Sequence, residues 1–195
     1  FATIGDTAQK GLKKVDSVAK LKPPLVIANY GTNDAEYWLD NKKHRNAWYK
    51  ENYIKLINGV KAKSPNTKFA LNQIFEAEKG DYKKGIPSLQ PITAEIAQET
   101  GSVLVDVRDI NKQGKNYHQS DGVHFNSAFY PVWRDALKSK LVSAGTGYGD
   151  LSNIPYLTDG QDLGDQLMGD SAGGDGSSVI GGSSPRTMNN FAYFS

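Results

Sequence analysis

The chain has 195 residues, 38% of them hydrophobic and 23% charged, with a net charge of +2 and no cysteine; that suffices for one domain with a proper core and is short for two. The near-neutral sum hides a basic body and an acidic end: residues 1 to 144 carry 22 Lys and Arg against 15 Asp and Glu, whereas residues 145 to 195 carry one Arg and six Asp. The lysines are dispersed and the one dense run, Lys42-Lys43-His44-Arg45, reads as a solvated face, so nucleic-acid binding is not expected; the lack of cysteine excludes disulfides and thiolate metal sites, and no apolar run reaches membrane-spanning length.

In chain order, Phe1-Ala-Thr-Ile4 is short and apolar, like the end of a strand, and Gly5-Asp-Thr7 follows as a turn with a helix cap at Asp6 or Thr7. No signal peptide is recognisable, and a chain opening on Phe1 rather than Met is expected to be processed, truncated or permuted. Leu12, Val15, Val18 and Leu21 recur at helical spacing until Pro23-Pro24 stops the pattern. Leu25-Val-Ile-Ala-Asn-Tyr30 suits a buried parallel strand that ends in the loop Gly31-Thr-Asn-Asp34. Residues 35 to 45 read as a short helix or an excursion over the strand ends, with Tyr37 and Trp38 embedded in polar residues.

A longer helix is expected from Asn46 to about Ala62, with Trp48, Tyr53, Ile57 and Val60 on its apolar face, then a turn at Ser64-Pro-Asn-Thr67 and a strand at Lys68 to Gln73. Residues 76 to 90, with Gly80, Gly85 and Pro87 among charges, read as a surface loop. Pro91 suits the first turn of a helix that Gly101 ends. Ser102 to Asp106 is another buried strand, a polar loop follows over 107 to 120, and Asn126 is an N-cap for a last helix carrying Phe129, Val132, Trp133, Leu137 and Leu141. Alternating strands and helices predict an α/β fold, a mostly parallel sheet covered on both faces as a three-layer sandwich. Ligands of such sheets bind beyond the carboxyl ends of the strands, and Gly5, Gly31 to Asp34 and the Asp121 loop all follow predicted strands.

Asp121-Gly-Val-His124 sets a carboxylate and an imidazole three residues apart. Histidine is the side chain whose ordinary pKa lies nearest neutral, and a carboxylate can hold its ring in one tautomer, so the pair suits a general base and its orienting partner. Taken one at a time, Gly5 also reads as a helix-entry glycine, Asn33 and Asp34 as capping residues, and His124 as a surface histidine.

Gly31-Thr-Asn33-Asp34 after a buried strand resembles the Gly-x-Asn-Asp block of the SGNH or GDSL-type esterases and lipases, and Asp121-x-x-His124 resembles their final Asp-x-x-His block. The segment Ile4 to Leu12 is similar to the surroundings of the family's second-block glycine, and the blocks fall in the family's order between residue 1 and about 141. The resemblance implies a flavodoxin-like SGNH architecture and a serine acyl-enzyme route without metal or organic cofactor. It further implies Gly5 and Asn33 as oxyanion donors, His124 as base and Asp121 as its partner.

The family's nucleophile lies in a Gly-Asp-Ser block upstream of the second-block glycine, a place this chain does not fill. Gly169-Asp-Ser171 carries the tripeptide literally, and Gly181-Gly-Ser183-Ser184 resembles a variant of it; Thr7 and a residue upstream of Phe1 are the further alternatives. Ser171 or Ser183 would make the chain a circular permutant, which closely spaced termini permit. From Ser171 through a join of Ser195 to Phe1 the interval to Gly5 is 29 residues, and from Ser183 it is 17; a strand-helix-strand unit takes about 30 or more, so Ser171 is preferred. Eleven of the 20 glycines lie in residues 145 to 195, and this segment reads either as the source of the nucleophile strand or as a flexible tail beside the body at 1 to 144.

The expected substrate is a small ester or an acylated carbohydrate undergoing O-deacetylation, with Tyr37 and Trp38 as stacking faces. An acyl thioester or lysophospholipid, or a carbohydrate-binding module of the same fold lacking the nucleophile, are the alternatives. An extracellular, cell-surface or virion setting is expected over a cytoplasmic one; the oligomeric state is left open.

Overall fold

The computed structural model describes residues 3, 5 to 36, 42 to 112 and 116 to 144, and the backbone of 191 to 194. The chain enters through helix α1 (Ala8–Gly11), a 3-10 turn (Leu12–Lys14) and α2 (Val15–Leu21). Lys22 then turns the backbone left-handed at φ 49° ahead of the two prolines. Strand β1 (Leu25–Ala28) leads to α3 (Thr32–Glu36), and the long α4 (Lys42–Lys63) leads to β2 (Lys68–Asn72). Helix α5 (Gly80–Thr100), β3 (Val103–Val105), a 3-10 turn (Arg108–Asn111) and α6 (Phe129–Ser143) complete the body. Strand β4 (Phe191–Phe194) comes from the far end of the sequence.

The four strands form one parallel sheet in the order β3-β2-β1-β4. Because successive strand side chains point to opposite faces, the sheet builds two cores. Val26, Ala28, Phe69 and Leu71 face a core shared with Val18 of α2, Tyr49, Tyr53, Leu56, Ile57 and Val60 of α4 and Ile86, Leu89 and Ile96 of α5. Leu25, Ala70 and Val105 face the other way, onto Phe129, Leu137 and Leu141 of α6. This is the α/β three-layer arrangement expected from the sequence, with the heavier helical layer on the α4 and α5 side.

Three expectations are corrected. Residues 80 to 90 are not a loop but the first half of α5, which runs through both Pro87 and Pro91. Both prolines face solvent, where the carbonyls left without an N–H partner can reach water, while Gly85, Ile86, Leu89, Thr93, Ile96 and Ala97 make the buried stripe. Asn126 is not the N-cap of α6: that position is Ala128, and the Asn126 side chain accepts from the Ala128 N–H at 3.1 Å in the turn before it. Finally, the dense basic run is not one solvated face, because Arg45 is 1% exposed while Lys42, Lys43 and His44 lie outside.

Gly85 is where α5 meets α3. A Cβ there would stand 2.1 Å from the carbonyl oxygen of Ala35 and 3.0 Å from Arg45 Nη1. Gly85→Ala would gain up to about 1 kcal/mol of helix propensity, but overpacking a rigid backbone contact costs about 1–3 kcal/mol. The clash wins, so a net fall in the urea midpoint is expected for Gly85→Ala, measured by chemical denaturation.

Candidate active site

The dyad lies in a loop that the sequence ties tightly. Asp121 Oδ1 accepts from the backbone N–H of Val123 (2.8 Å) and of His124 (3.0 Å), a local turn that short carboxylates form readily. That leaves Oδ2 for the imidazole, whose Nδ1 lies 2.6 Å away. With Nδ1–H donating to the carboxylate, Nε2 carries the lone pair, and the His124 side chain is 71% exposed. The N–H groups of Val123 and His124 and the imidazole hold the Asp121 carboxyl well below the usual carboxylate range.

The loop is fixed from outside as well. Gly122 has φ 70°, and a Cβ on it would meet Lys79 Cγ at 2.9 Å, so both conformation and space require glycine. Its carbonyl accepts from the Glu78 N–H at 2.7 Å, and Lys79 Nζ donates to the Ser120 carbonyl at 2.9 Å. An isolated antiparallel bridge, His118 to Phe125, closes the base of the loop.

Two other expected residues meet beyond the end of β1. Asn33, in the first turn of α3, donates from Nδ2 to the Asp6 carbonyl at 3.0 Å. This brings it to the Gly5 segment, where Gly5 has φ 72° and its carbonyl accepts from Lys10 Nζ at 2.9 Å. The second hydrogen of the Asn33 amide is chemically available for another acceptor. Thr7 is the N-cap of α1, its buried hydroxyl accepting from the Lys10 N–H at 3.3 Å, which gives that hydroxyl a structural role.

The neighbouring Asp34 is the residue the sequence did not single out as functional. It is fully buried, and both its oxygens accept from the Ala8 N–H, at 3.0 and 3.2 Å. Asn33 and Asp34 together therefore stitch the start of α3 to the Gly5–Ala8 segment from both sides. Burial pushes the Asp34 carboxyl up to about 7, against the backbone N–H groups of Ala8, Asp34 and Gly31, with the nearby Asp6 adding to the rise. Because the folded state holds this proton more tightly than the unfolded chain, the contribution of Asp34 to stability is full below about pH 4 and is lost as pH rises to about 7. Asp34→Asn is expected to flatten that part of the stability profile, measured by urea denaturation at pH 4.5, 5.5 and 7.

A cleft of about 410 Å³ opens beside His124, lined by Glu36, Lys79, Asp81, Tyr82, Asp121 and Val123. Tyr82 donates its hydroxyl to Glu36 at 2.7 Å; burial and this bond push its pKa up to about 12. Lys79, Asp81 and Tyr82 were hidden in the sequence, since they fall in the stretch read as a surface loop. Tyr37, Trp38, Ser171, Ser183 and Ser184 lie outside the described residues. Among the described residues, no cluster of His, Asp and Glu is placed to hold a metal ion, and no helix is long and apolar enough to cross a membrane.

Solved structures share this arrangement of helices and strands. A lipase/acylhydrolase from Enterococcus faecalis is similar at 21% identity and a TM-score of 0.58, over 70% of this chain and 71% of that one. An acetylxylan esterase from Geobacillus stearothermophilus is similar at 21% identity and a TM-score of 0.56, over 70% and 68%. A peptidoglycan O-acetylesterase is similar at 18% identity and a TM-score of 0.51, over 67% of this chain and 40% of that one. No curated protein matches the chain. The sequence pattern of the GDSL-like Lipase/Acylhydrolase family is matched over residues 1–132, which takes in the Gly5 segment, the Asn33 block and the Asp121-His124 pair. The chain belongs to this family of ester hydrolases.

Proposed function

We propose that the protein is a serine esterase that removes short acyl groups, acetyl above all, from the hydroxyls of a carbohydrate. The observation that carries this reading is the pairing of His124 Nδ1 with Asp121 Oδ2 at 2.6 Å on the wall of a cleft that Glu36, Lys79, Asp81 and Tyr82 also line. The charged groups of Glu36, Lys79 and Asp81 can hydrogen-bond the hydroxyls of a sugar. The acetylxylan and peptidoglycan esterases among the similar structures support the same substrate class.

In this reading a serine Oγ bonds to the ester carbonyl carbon and passes its proton to His124 Nε2, while Asp121 stabilises the imidazolium. The carbonyl oxygen takes the displaced electron pair and is met by the Asn33 amide and the Gly5 N–H. Collapse expels the alcohol, protonated by His124, and water then releases the acid by the same steps in reverse. Tyr37 and Trp38 follow Glu36 closely in sequence and are proposed as stacking faces for the sugar.

Acetate release from acetylated xylan, compared with hydrolysis of p-nitrophenyl esters of increasing acyl length, tests the substrate class. Rates highest for acetyl and falling with length are expected. Rates that climb toward long acyl chains would sink the carbohydrate reading and point to a lipid or thioester substrate.

A further inference from the structure

His118 lies at the base of the loop that carries the dyad and takes no part in the chemistry described so far. Its side chain is 1% exposed, and neither ring nitrogen has a hydrogen-bond partner among the described residues. A neutral imidazole carries one N–H and one lone pair, and burying them unmet lowers stability. The ring stacks on Phe125 with centroids 4.7 Å apart, and Phe125 in turn stacks on Phe129 of α6 at 3.8 Å. A phenyl ring would serve that stack and leave no polar atom without a partner. Packing therefore gives no reason for nitrogen at this place.

What nitrogen offers is a link to Glu78. His118 Nδ1 lies 3.5 Å from Glu78 Oε1, longer than a formed hydrogen bond and within ion-pair reach. Glu78 already touches the far end of the same hairpin, because its backbone N–H donates to the Gly122 carbonyl at 2.7 Å. The hairpin is closed by the Asn126 N–H, which donates to the Tyr117 carbonyl, and by the Gln119 N–H, which donates to the His124 carbonyl, each at 2.8 Å. Asp121 and His124 ride on its tip, so one acidic residue faces the hairpin at tip and base alike. The Glu78 side chain is 44% exposed, so its carboxylate keeps water and avoids the cost of a buried charge.

We propose that His118 is a positioning residue of the reaction: its Nδ1–H meets the Glu78 carboxylate in a second histidine–carboxylate pair, which fixes the base of the hairpin and so the placement of His124. This rests on the esterase reading above. The Gly122 and Ser120 carbonyls tie only the tip to residues 78 and 79, and a hairpin held there alone can pivot about those ties. Stacking on Phe125 resists separation of the rings but is weakly directional, whereas a hydrogen bond to a carboxylate sets direction. A misplacement of about 1 Å at a reacting group costs up to about a hundredfold in rate. The buried ring of His118 touches no substrate, and His124 keeps the role of base.

The test separates the ring from its nitrogen in the full chain. His118→Phe keeps the stack and removes Nδ1, so its urea midpoint should be no lower than that of the wild type. Its kcat on p-nitrophenyl acetate should nonetheless fall about ten- to a hundredfold, with KM within about twofold; a merely structural residue would lose activity only along with stability. Glu78→Ala should show the same loss, Glu78→Gln, which keeps an acceptor oxygen, should recover most of it, and the double variant of His118→Phe with Glu78→Ala should be no slower than either alone. NMR supplies a readout apart from turnover: the Cε1–H resonance of His124, sharp in the wild type, should broaden in His118→Phe through slow motion of the hairpin. Full kcat in a folded His118→Phe or Glu78→Ala, or losses that multiply in the double variant, overturns the proposal and leaves the esterase reading standing. Folded wild type that hydrolyses no ester overturns that reading, and a His124 resonance unchanged in His118→Phe then overturns the clamp as well.

Discussion

His124→Ala is expected to lower kcat by about a hundred- to ten-thousand-fold while leaving KM within a few-fold. The ring combines a carboxylate on Nδ1 with an exposed side chain, and a positioned general base supplies about that factor. The side chain buries little, so the variant should fold with an unchanged urea midpoint, which separates lost chemistry from lost structure. Asp121→Asn should cost nearly as much, because the amide can accept from or donate to Nδ1 and no longer enforces the tautomer that frees Nε2. The Asp121 carboxyl is held well below its usual range, so it stays ionised through mild acid. Loss of activity in mild acid is then not to be traced to Asp121 titrating. If His124→Ala retained full kcat on every ester that the wild type cleaves, the dyad would be a structural turn and nothing more.

Asn33→Ala is the second large effect, an expected fall in kcat of about a hundred- to a thousandfold, or about 2.7–4 kcal/mol of barrier. The amide nitrogen has one hydrogen committed to the Asp6 carbonyl at 3.0 Å and one left for the developing oxyanion. Its loss should therefore show in kcat, with a smaller destabilisation of about 1 kcal/mol from the missing tie. Asn33→Asp makes the sharper test: it keeps the size but sets an acceptor where a donor is needed, and should be at least as slow as the alanine variant. Equal kcat in wild type and Asn33→Asp would remove Asn33 from the oxyanion site.

Much of this was legible in the residues. Strand cores such as Leu25 to Ala28 and Val103 to Val105 announce themselves as short apolar runs, and the Gly5, Asn33 and Asp121-His124 blocks, each after a predicted strand, were expected on one rim. Their roles as donors and base came from the family resemblance rather than from periodicity. What stayed hidden had physical causes. The first half of α5 was masked by Gly80, Gly85, Pro87 and Pro91, residues that local propensity counts against a helix, whereas tertiary contact makes Gly85 necessary and solvent makes the prolines tolerable. Asp34 looked like a loop residue because nothing local says that its oxygens will meet the Ala8 N–H across 26 positions of sequence. The pairing of β4 with β1 is longer in range still, joining the two ends of the chain.

The smallness of α3 has a consequence for how the protein breathes. Five residues are too few to persist as a helix on their own, so α3 depends on its neighbours: besides the ties of Asn33 and Asp34, Arg45 donates to the Ala35 carbonyl at 3.0 Å and to Ser88, and Gly85 lets α5 lie against it. Its backbone amides should therefore not open independently; they should exchange with deuterium at the pace of the facing turns of α5, as one cooperative unit. Any change that loosens α5 at residues 85 to 88, however far from the ester, would then reach the reaction as a smaller fraction of molecules with Asn33 in position.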